Sequence, residues 1–394
     1  MSINPLRPYL LPWRDVALSV GDSVFEKLVP RRASETAVSN TVAIVNFAAI
    51  GDLFLWLGCA KALREHYTDA KIVLLGNHLW QGIAAALPYF DEVIGIEVRR
   101  FRNDLVYRYE MLSSLKGIGA STILHPAYTR QGYFADGEGL VRALPAKEKI
   151  GFSGEGAGWR HELGKRAYTK LLPAQSKELM ELERNAEFMN NLGIPFRAAV
   201  PTFPKEVLPQ REVKAGAYYV IAPGAGADKR KWPAGNFAAL AEKIHAKTGL
   251  KGLVCGSPGE RELAQSVIDQ SAAPLENWAG RSSLLGYVRI LSDAQLIVSN
   301  DTSAVHMAAT LHVPSVCVMG GGHYERFAPY PSTVEDAHFG PLTVVHKMPC
   351  FKCNWACIYP IGSNEPAPCV ANVELEKVWQ ACQVQLTNPH PAAI

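Results

Sequence analysis

The chain has 394 residues, 48% of them hydrophobic, and 40 basic against 37 acidic side chains give a net charge of +3. This length and apolar content support large cores in a two-domain globular chain and exclude general disorder, while so slight a charge gives no reason to expect nucleic acid as a partner. No apolar run is long enough to span a bilayer, and the N-terminus lacks the pattern of a secretory signal, so the expected location is the cytoplasm.

Residues 1–40 read as an N-terminal extension, with prolines at 5, 8 and 12 keeping its start irregular. Within it, residues 13–28 have apolar spacing for a short amphipathic helix. Packing on the body of the protein is its expected role, with a subunit contact or a membrane surface as the alternatives. Residues 41–47 form a buried-type strand, 48–52 a tight turn and 53–66 a helix. Strands at 71–75 and 92–96 flank a helix at 81–87, the alternation of a parallel doubly wound sheet. Ligands of such sheets sit at the carboxyl ends of the strands, where Gly51 and Asp52 fall. Asp52 is therefore either a helix cap or a general base. A helix at 105–115 and a strand at 121–126 follow, residues 131–159 read as long loops, and a helix at 178–192 closes the half.

The second half repeats the pattern. After a strand at 217–222, the loop 223–233 combines Gly224, which lets backbone approach a ligand, with Lys229, Arg230 and Lys231, which can neutralise phosphate. A helix at 236–247, a strand at 252–255, a turn at 256–262 into another helix and a helix within 277–291 come next. An apolar strand at 296–298 then enters a turn at 299–303, and a helix begins at Ala304. Asp301, Thr302 and Ser303 can each cap that helix, and the free amides of its first turn suit a phosphate. His306 lies on the same helix and either orients the turn or is a satisfied core histidine. The strand 314–319 ends in Gly320, Gly321, Gly322 and His323, read as a platform that a bulky ligand can approach. Four of the eight cysteines, Cys350, Cys353, Cys357 and Cys369, crowd into one loop. Their spacing suits tetrahedral thiolate coordination of iron or zinc in a structural role, with reduced, unliganded thiols as the alternative. Cys59, Cys255, Cys317 and Cys382 read as core residues.

Residues 45–67 with Gly51 and Asp52, the loop 223–233, the turn 256–262, the run from Ser299 to His306, and Glu325-Arg-Phe-Ala-Pro-Tyr330 together resemble glycosyltransferase family nine, the lipopolysaccharide heptosyltransferases. The resemblance runs in order from about residue 41 to 385. It implies an α/β fold of GT-B type, two doubly wound Rossmann-like domains facing across a cleft. Residues 41–205 would form the acceptor-side domain and 206–394 the nucleotide-sugar domain, with a Cys-rich loop at 350–369. It implies an inverting transfer of heptose from a nucleoside diphosphate sugar, usually ADP-heptose, without a catalytic metal. The family's carboxylate maps onto Asp52, its phosphate-binding helix start onto Asp301, Thr302, Ser303 and Ala304, and its basic residue two places before the tryptophan onto Arg230; Gly224, Lys231, Glu260 and His306 are expected to join them in donor binding. Autotransporter heptosyltransferases of the family carry cysteines similar to the four above, resembling an iron-binding finger. Arg230 stands where the family commonly has lysine, Ser303 where it often has glycine, and Ala48 and Ala49 where it has small hydroxyl residues.

The expected acceptor is lipopolysaccharide core. A protein serine or threonine is the alternative within this class, and a non-catalytic sugar-nucleotide-binding or assembly subunit, which would not need Asp52, is the alternative from another class. A homo-oligomer and a peripheral contact at the inner face of the inner membrane are left open as partners.

Overall fold

The computed structural model describes residues 21–22, 24, 40–128, 134–154, 159–175, 178–213 and 216–387. The expected helix at 13–28 lies almost wholly outside them; of it only Gly21, Asp22 and Val24 are described, in helical conformation.

Two parallel six-stranded sheets organise the chain. The first contains β1 (Thr41–Asn46), β2 (Lys71–Asn77), β3 (Glu92–Ile96), β4 (Thr122–His125), β5 (Glu148–Phe152) and β6 (Lys170–Leu172), in the order β3-β2-β1-β4-β5-β6. The second contains β7 (Tyr218–Ala222), β8 (Lys251–Val254), β9 (Leu275–Asn277), β10 (Leu296–Asn300), β11 (Ser315–Met319) and β12 (Leu342–Val345), in the order β12-β11-β10-β7-β8-β9. Read from the other edge, the second order is the first one repeated. In each sheet the winding reverses between the first and fourth strands, which pair in parallel as β1 with β4 and β7 with β10. That reversal is where doubly wound sheets bind ligands. The α/β class expected from the alternating pattern is therefore the class observed.

The central strands show why. All six residues of β1 are buried, as are all five of β7, β10 and β11. A strand covered by helices on both faces needs apolar side chains in every register rather than in alternate ones. Chain contacts divide the protein into two compact units, one of residues 1–49, 60–177 and 187–196, the other of 50–59, 178–186 and 197–394. The core of the first gathers Val45, Val73, Phe101, Leu112 and Leu140, and that of the second gathers Trp232, Phe237, Leu240, Val298 and Trp379. Among the described residues no helix is long and apolar enough to cross a membrane.

Several expectations need correction. The stretch 131–159 is not mainly loop, since it holds the helix Phe134–Ala143 and β5. Its glycines serve close approach rather than irregularity. A Cβ on Gly137 would lie 2.6 Å from the His125 ring, and one on Gly151 2.4 Å from the Tyr168 ring. The helix expected from residue 53 begins at Ile50, so Gly51 and Asp52 occupy its first turn and not a preceding loop. The short strands β6, β9 and β12 were not anticipated.

Candidate functional site

The site is built at the carboxyl ends of β7 and β10. Asn300, fully buried at the end of β10, donates through its side-chain amide to the carbonyls of Pro223 (2.7 Å) and Gly224 (3.1 Å) and accepts from the Trp232 amide (3.0 Å). One side chain thus fixes both ends of the cationic loop against the strand next door. Ser299 donates to the Ala222 carbonyl at 3.1 Å and lies 2.9 Å from the Thr302 hydroxyl. Of the three capping candidates, Thr302 takes the role: its backbone is extended and its hydroxyl accepts from the Ala304 amide at 3.3 Å. Asp301 faces elsewhere. The helix Ser303–Leu311 therefore starts with the ordered, amide-rich end that suits an anion.

Arg230 reaches this turn from the loop, where Asp228–Arg230 form a single 3-10 turn. Its guanidinium pairs with the Asp301 carboxylate at 2.8 Å and also donates to the Asp301 carbonyl. Asp301 is 3% exposed; burial pushes its carboxyl up, and Arg230 opposes that shift by charge and hydrogen bonding. Lys231 turns to Asp228 at 2.6 Å. Gly224 is a close-approach glycine, since a Cβ there would sit 1.8 Å from Glu260 Oε1. Glu260 in turn accepts from the Ser257 amide (2.7 Å) and hydroxyl (2.8 Å), a capping box that orients its carboxylate. Gly224, Arg230, Glu260 and residues 301–304 are thus brought into one connected region, and Lys231 is tied at its edge.

His306 is buried one turn into the helix, its Nδ1 2.9 Å from the Tyr330 hydroxyl. Burial, followed by the nearby Arg230 charge, lowers its imidazole to about 4, so it is neutral at pH 7. The folded state therefore resists a proton that the unfolded chain accepts near pH 6.5. This stability is whole above pH 6.5 and drains away as pH falls toward 4, by up to about 3 kcal/mol. Urea midpoints at pH 7 and pH 4.5 should show a smaller drop for His306→Gln than for the parent chain; equal drops would contradict this assignment.

Asp52 belongs by its contacts to the same unit as this turn. It lies half-buried in the first turn of the helix Ile50–His66, and its neighbour Gly51 is packed on the anion turn: a Cβ on Gly51 would come within 3.0 Å of the His306 ring and 3.3 Å of Ser303 Cα. Two helix N-termini, one bearing the carboxylate and one the amide turn, therefore meet. Neither the Arg230–Asp301 pair nor this meeting was anticipated from the sequence, because each joins residues far apart in the chain with no local pattern linking them.

The glycine platform has a different use from the one expected. Cβ atoms on Gly320, Gly321 and Gly322 would collide with Trp355, Phe351 and Trp355 respectively, at 2.7, 2.5 and 2.4 Å. The chain's own aromatic residues cover those glycines. All eight cysteines are free. The Cys369 thiol is pushed up by burial and further by Cys350, Cys353 and Cys357, and its sulfur accepts from the Gly321 amide at 3.4 Å. Among the described residues no group of three or more His, Cys, Asp or Glu is drawn together closely enough to hold a metal ion.

Two sheets of identical winding, with a capped helix N-terminus at the second switch point, make this a doubly wound α/β protein of two similar sheets. Residues 139–353, more than half of the chain, match the family described as glycosyltransferase family 9 (heptosyltransferase), and the chain belongs to that family. It is a glycosyltransferase. It is 23% identical over 300 residues to lipopolysaccharide heptosyltransferase 3 of Escherichia coli, covering 72% of this chain and 84% of that protein. To lipooligosaccharide heptosyltransferase 2 of Campylobacter jejuni it is 21% identical over 356 residues, 86% of this chain and 97% of that one. Its fold is similar to that of the E. coli heptosyltransferase WaaC with ADP-2-deoxy-2-fluoro heptose, at a TM-score of 0.62 and 19% identity, covering 88% and 99% of the two chains. The solved heptosyltransferases are of GT-B type, and this chain shares their α/β architecture.

Proposed function

We propose that this enzyme moves a heptose from ADP-heptose to a hydroxyl of lipopolysaccharide core, with inversion at the anomeric carbon. The observation that carries the reading is the packing of Gly51 on Ser303 and His306, which sets the Asp52 turn beside the amide turn. Displacement at an anomeric carbon needs a proton acceptor for the attacking hydroxyl and stabilisation of the leaving diphosphate, and this arrangement supports both.

As the acceptor oxygen bonds to the anomeric carbon and the carbon–oxygen bond to phosphate breaks, the hydroxyl proton passes to Asp52 and the electron pair leaves with ADP. A carboxylate is a weak base, so the proton moves late, as positive charge builds on the sugar. The developing diphosphate charge is met by the amides of Thr302 and Ser303 and by the guanidinium of Arg230, already aimed by Asp301. Asp301 positions the arginine, Thr302 and Ser303 lie half-buried at the mouth of the turn, and Ala304 is buried behind them. Lys231 adds positive charge at the rim, while Gly224 and the oriented Glu260 carboxylate provide a face for the nucleoside, where a carboxylate suits ribose hydroxyls. Neutral His306 props the turn rather than binding charge.

The lipopolysaccharide core acceptor is supported by the family and by the names of the relatives. A structural iron or zinc on Cys350, Cys353, Cys357 and Cys369 is the reading of their spacing in the chain, although no three of them are drawn together closely enough here to hold one. Bound there, the metal would hold the loop folded, and no part of the transfer passes through it.

Calorimetry with ADP-heptose and a panel of UDP-sugars and GDP-sugars tests the donor. Binding of ADP-heptose at least tenfold tighter than any of the others is expected; tighter binding of a pyrimidine nucleotide sugar would overturn the assignment of the base.

A further inference from the structure

The cysteine loop is joined to the cationic loop through one residue, Trp355. Its backbone carbonyl accepts from Lys229 Nζ at 2.8 Å, and its ring lies 5.8 Å from that ammonium and 5.5 Å from the Arg230 guanidinium. Arg230 is therefore held between the Asp301 carboxylate and the indole face. A second strap runs from the Ala367 amide, two residues before Cys369, to the Lys229 carbonyl at 2.9 Å. The loop itself lies on the glycine platform through amide bonds from Lys352 to the Gly321 carbonyl (2.7 Å) and from Asn354 to that of Gly322 (3.0 Å).

Two further observations mark this junction as more than packing. Arg230 Nε, Trp355 Nε1 and His323 Nδ1 are buried without a hydrogen-bond partner among the described residues, and the His323 and Trp355 rings are 6.0 Å apart. Orphaned buried polar atoms are uncommon and costly, and three around one contact point to a functional region. Lys352, Asn354 and Trp355 also have left-handed backbones, with φ of 66°, 47° and 62°. Such a run is strained for residues with side chains and persists only where the surroundings hold it.

We propose that Trp355 is a positioning residue for the donor diphosphate: it sets the geometry of Lys229 and Arg230, and the amide bonds of the loop to the glycine platform hold it in the conformation that lets it do so. The proposal rests on the assignment of Arg230 to the diphosphate made above. Phosphate-bearing ligands should feel the loss of Trp355, whereas a nucleoside without phosphate should not.

The test measures calorimetric affinity for inorganic pyrophosphate, ADP and adenosine in the 394-residue chain and three variants. Trp355→Ala is expected to weaken pyrophosphate and ADP about tenfold, the scale of a desolvated cation–π contact, and to leave adenosine unchanged. Trp355→Phe, which keeps an aromatic face, should recover most of that loss and so separates positioning from misfolding. Arg230→Ala is the control for the underlying assignment. If Arg230→Ala weakens pyrophosphate and Trp355→Ala does not, the positioning role is wrong and the diphosphate assignment stands. If Arg230→Ala leaves pyrophosphate binding intact, the diphosphate assignment falls and the inference with it. Equal losses for adenosine and pyrophosphate in Trp355→Ala would likewise overturn it, since the effect would then be general.

Discussion

Replacing Asp52 by asparagine is expected to lower kcat by about 10²- to 10⁴-fold, the usual contribution of a general base, with little change in donor affinity. Asparagine keeps the size of the side chain and removes only its capacity to take a proton. Its structural cost should be small. Asp52 is the acidic residue in the first turn of the helix Ile50–His66, where a carboxylate favours the helix dipole by about 0.3–1 kcal/mol. Steady-state kinetics with calorimetry on the same sample checks this. A large loss of donor affinity with turnover preserved would show that the carboxylate binds rather than reacts, and it would leave the transfer without its proton acceptor.

Arg230→Ala should reduce kcat by about 10²- to 10³-fold and weaken the nucleoside diphosphate more than the bare nucleoside, because charge on the leaving group grows in the transition state. This substitution has a second consequence. Asp301 is 3% exposed, and without its partner it becomes a buried, unpaired carboxylate at a cost of up to about 3–5 kcal/mol. Combining Arg230→Ala with Asp301→Asn should restore much of the lost stability and none of the lost rate. Denaturant melts and kinetics on the two variants separate the terms. Recovery of rate along with stability would mean that Arg230 serves the fold and not the diphosphate. Arg230→Lys should retain part of the rate, since lysine keeps the charge but not the planar guanidinium, one terminal nitrogen of which here meets both the carboxylate and the carbonyl of Asp301.

The parts of this architecture legible in the sequence are those whose signal is local. Fully buried strands such as β1 and β10 announce themselves as apolar runs, and the cations and glycines of residues 223–233 sit next to one another in the chain. The strand-to-helix turn at 299–303 is readable for the same reason, though three neighbouring residues could cap the helix and only geometry distinguishes Thr302 from Asp301. Asp301 could not be assigned locally, because its partner Arg230 is 71 residues away. Glycine misled in both directions. Gly137 and Gly139 lie within a helix to admit the His125 and Arg108 side chains, and Gly320 to Gly322 accept Phe351 and Trp355. In each case the glycine answers to a side chain distant in sequence, so composition alone reads it as a loop or a ligand platform. The short edge strands β6, β9 and β12 have too few residues for any periodicity to emerge.

The central claim, heptosyl transfer from a nucleoside diphosphate with Asp52 as proton acceptor, is tested most directly by product analysis. The 394-residue chain is mixed with ADP-heptose and heptose-free lipopolysaccharide core, and the product is read by mass spectrometry and by NMR at the anomeric carbon. The account predicts a core heavier by one heptosyl residue, ADP released in equal amount, inverted anomeric configuration, and none of these products with Asp52→Asn over the same interval. An unchanged core in the presence of bound ADP-heptose, or a product of retained configuration, would contradict it.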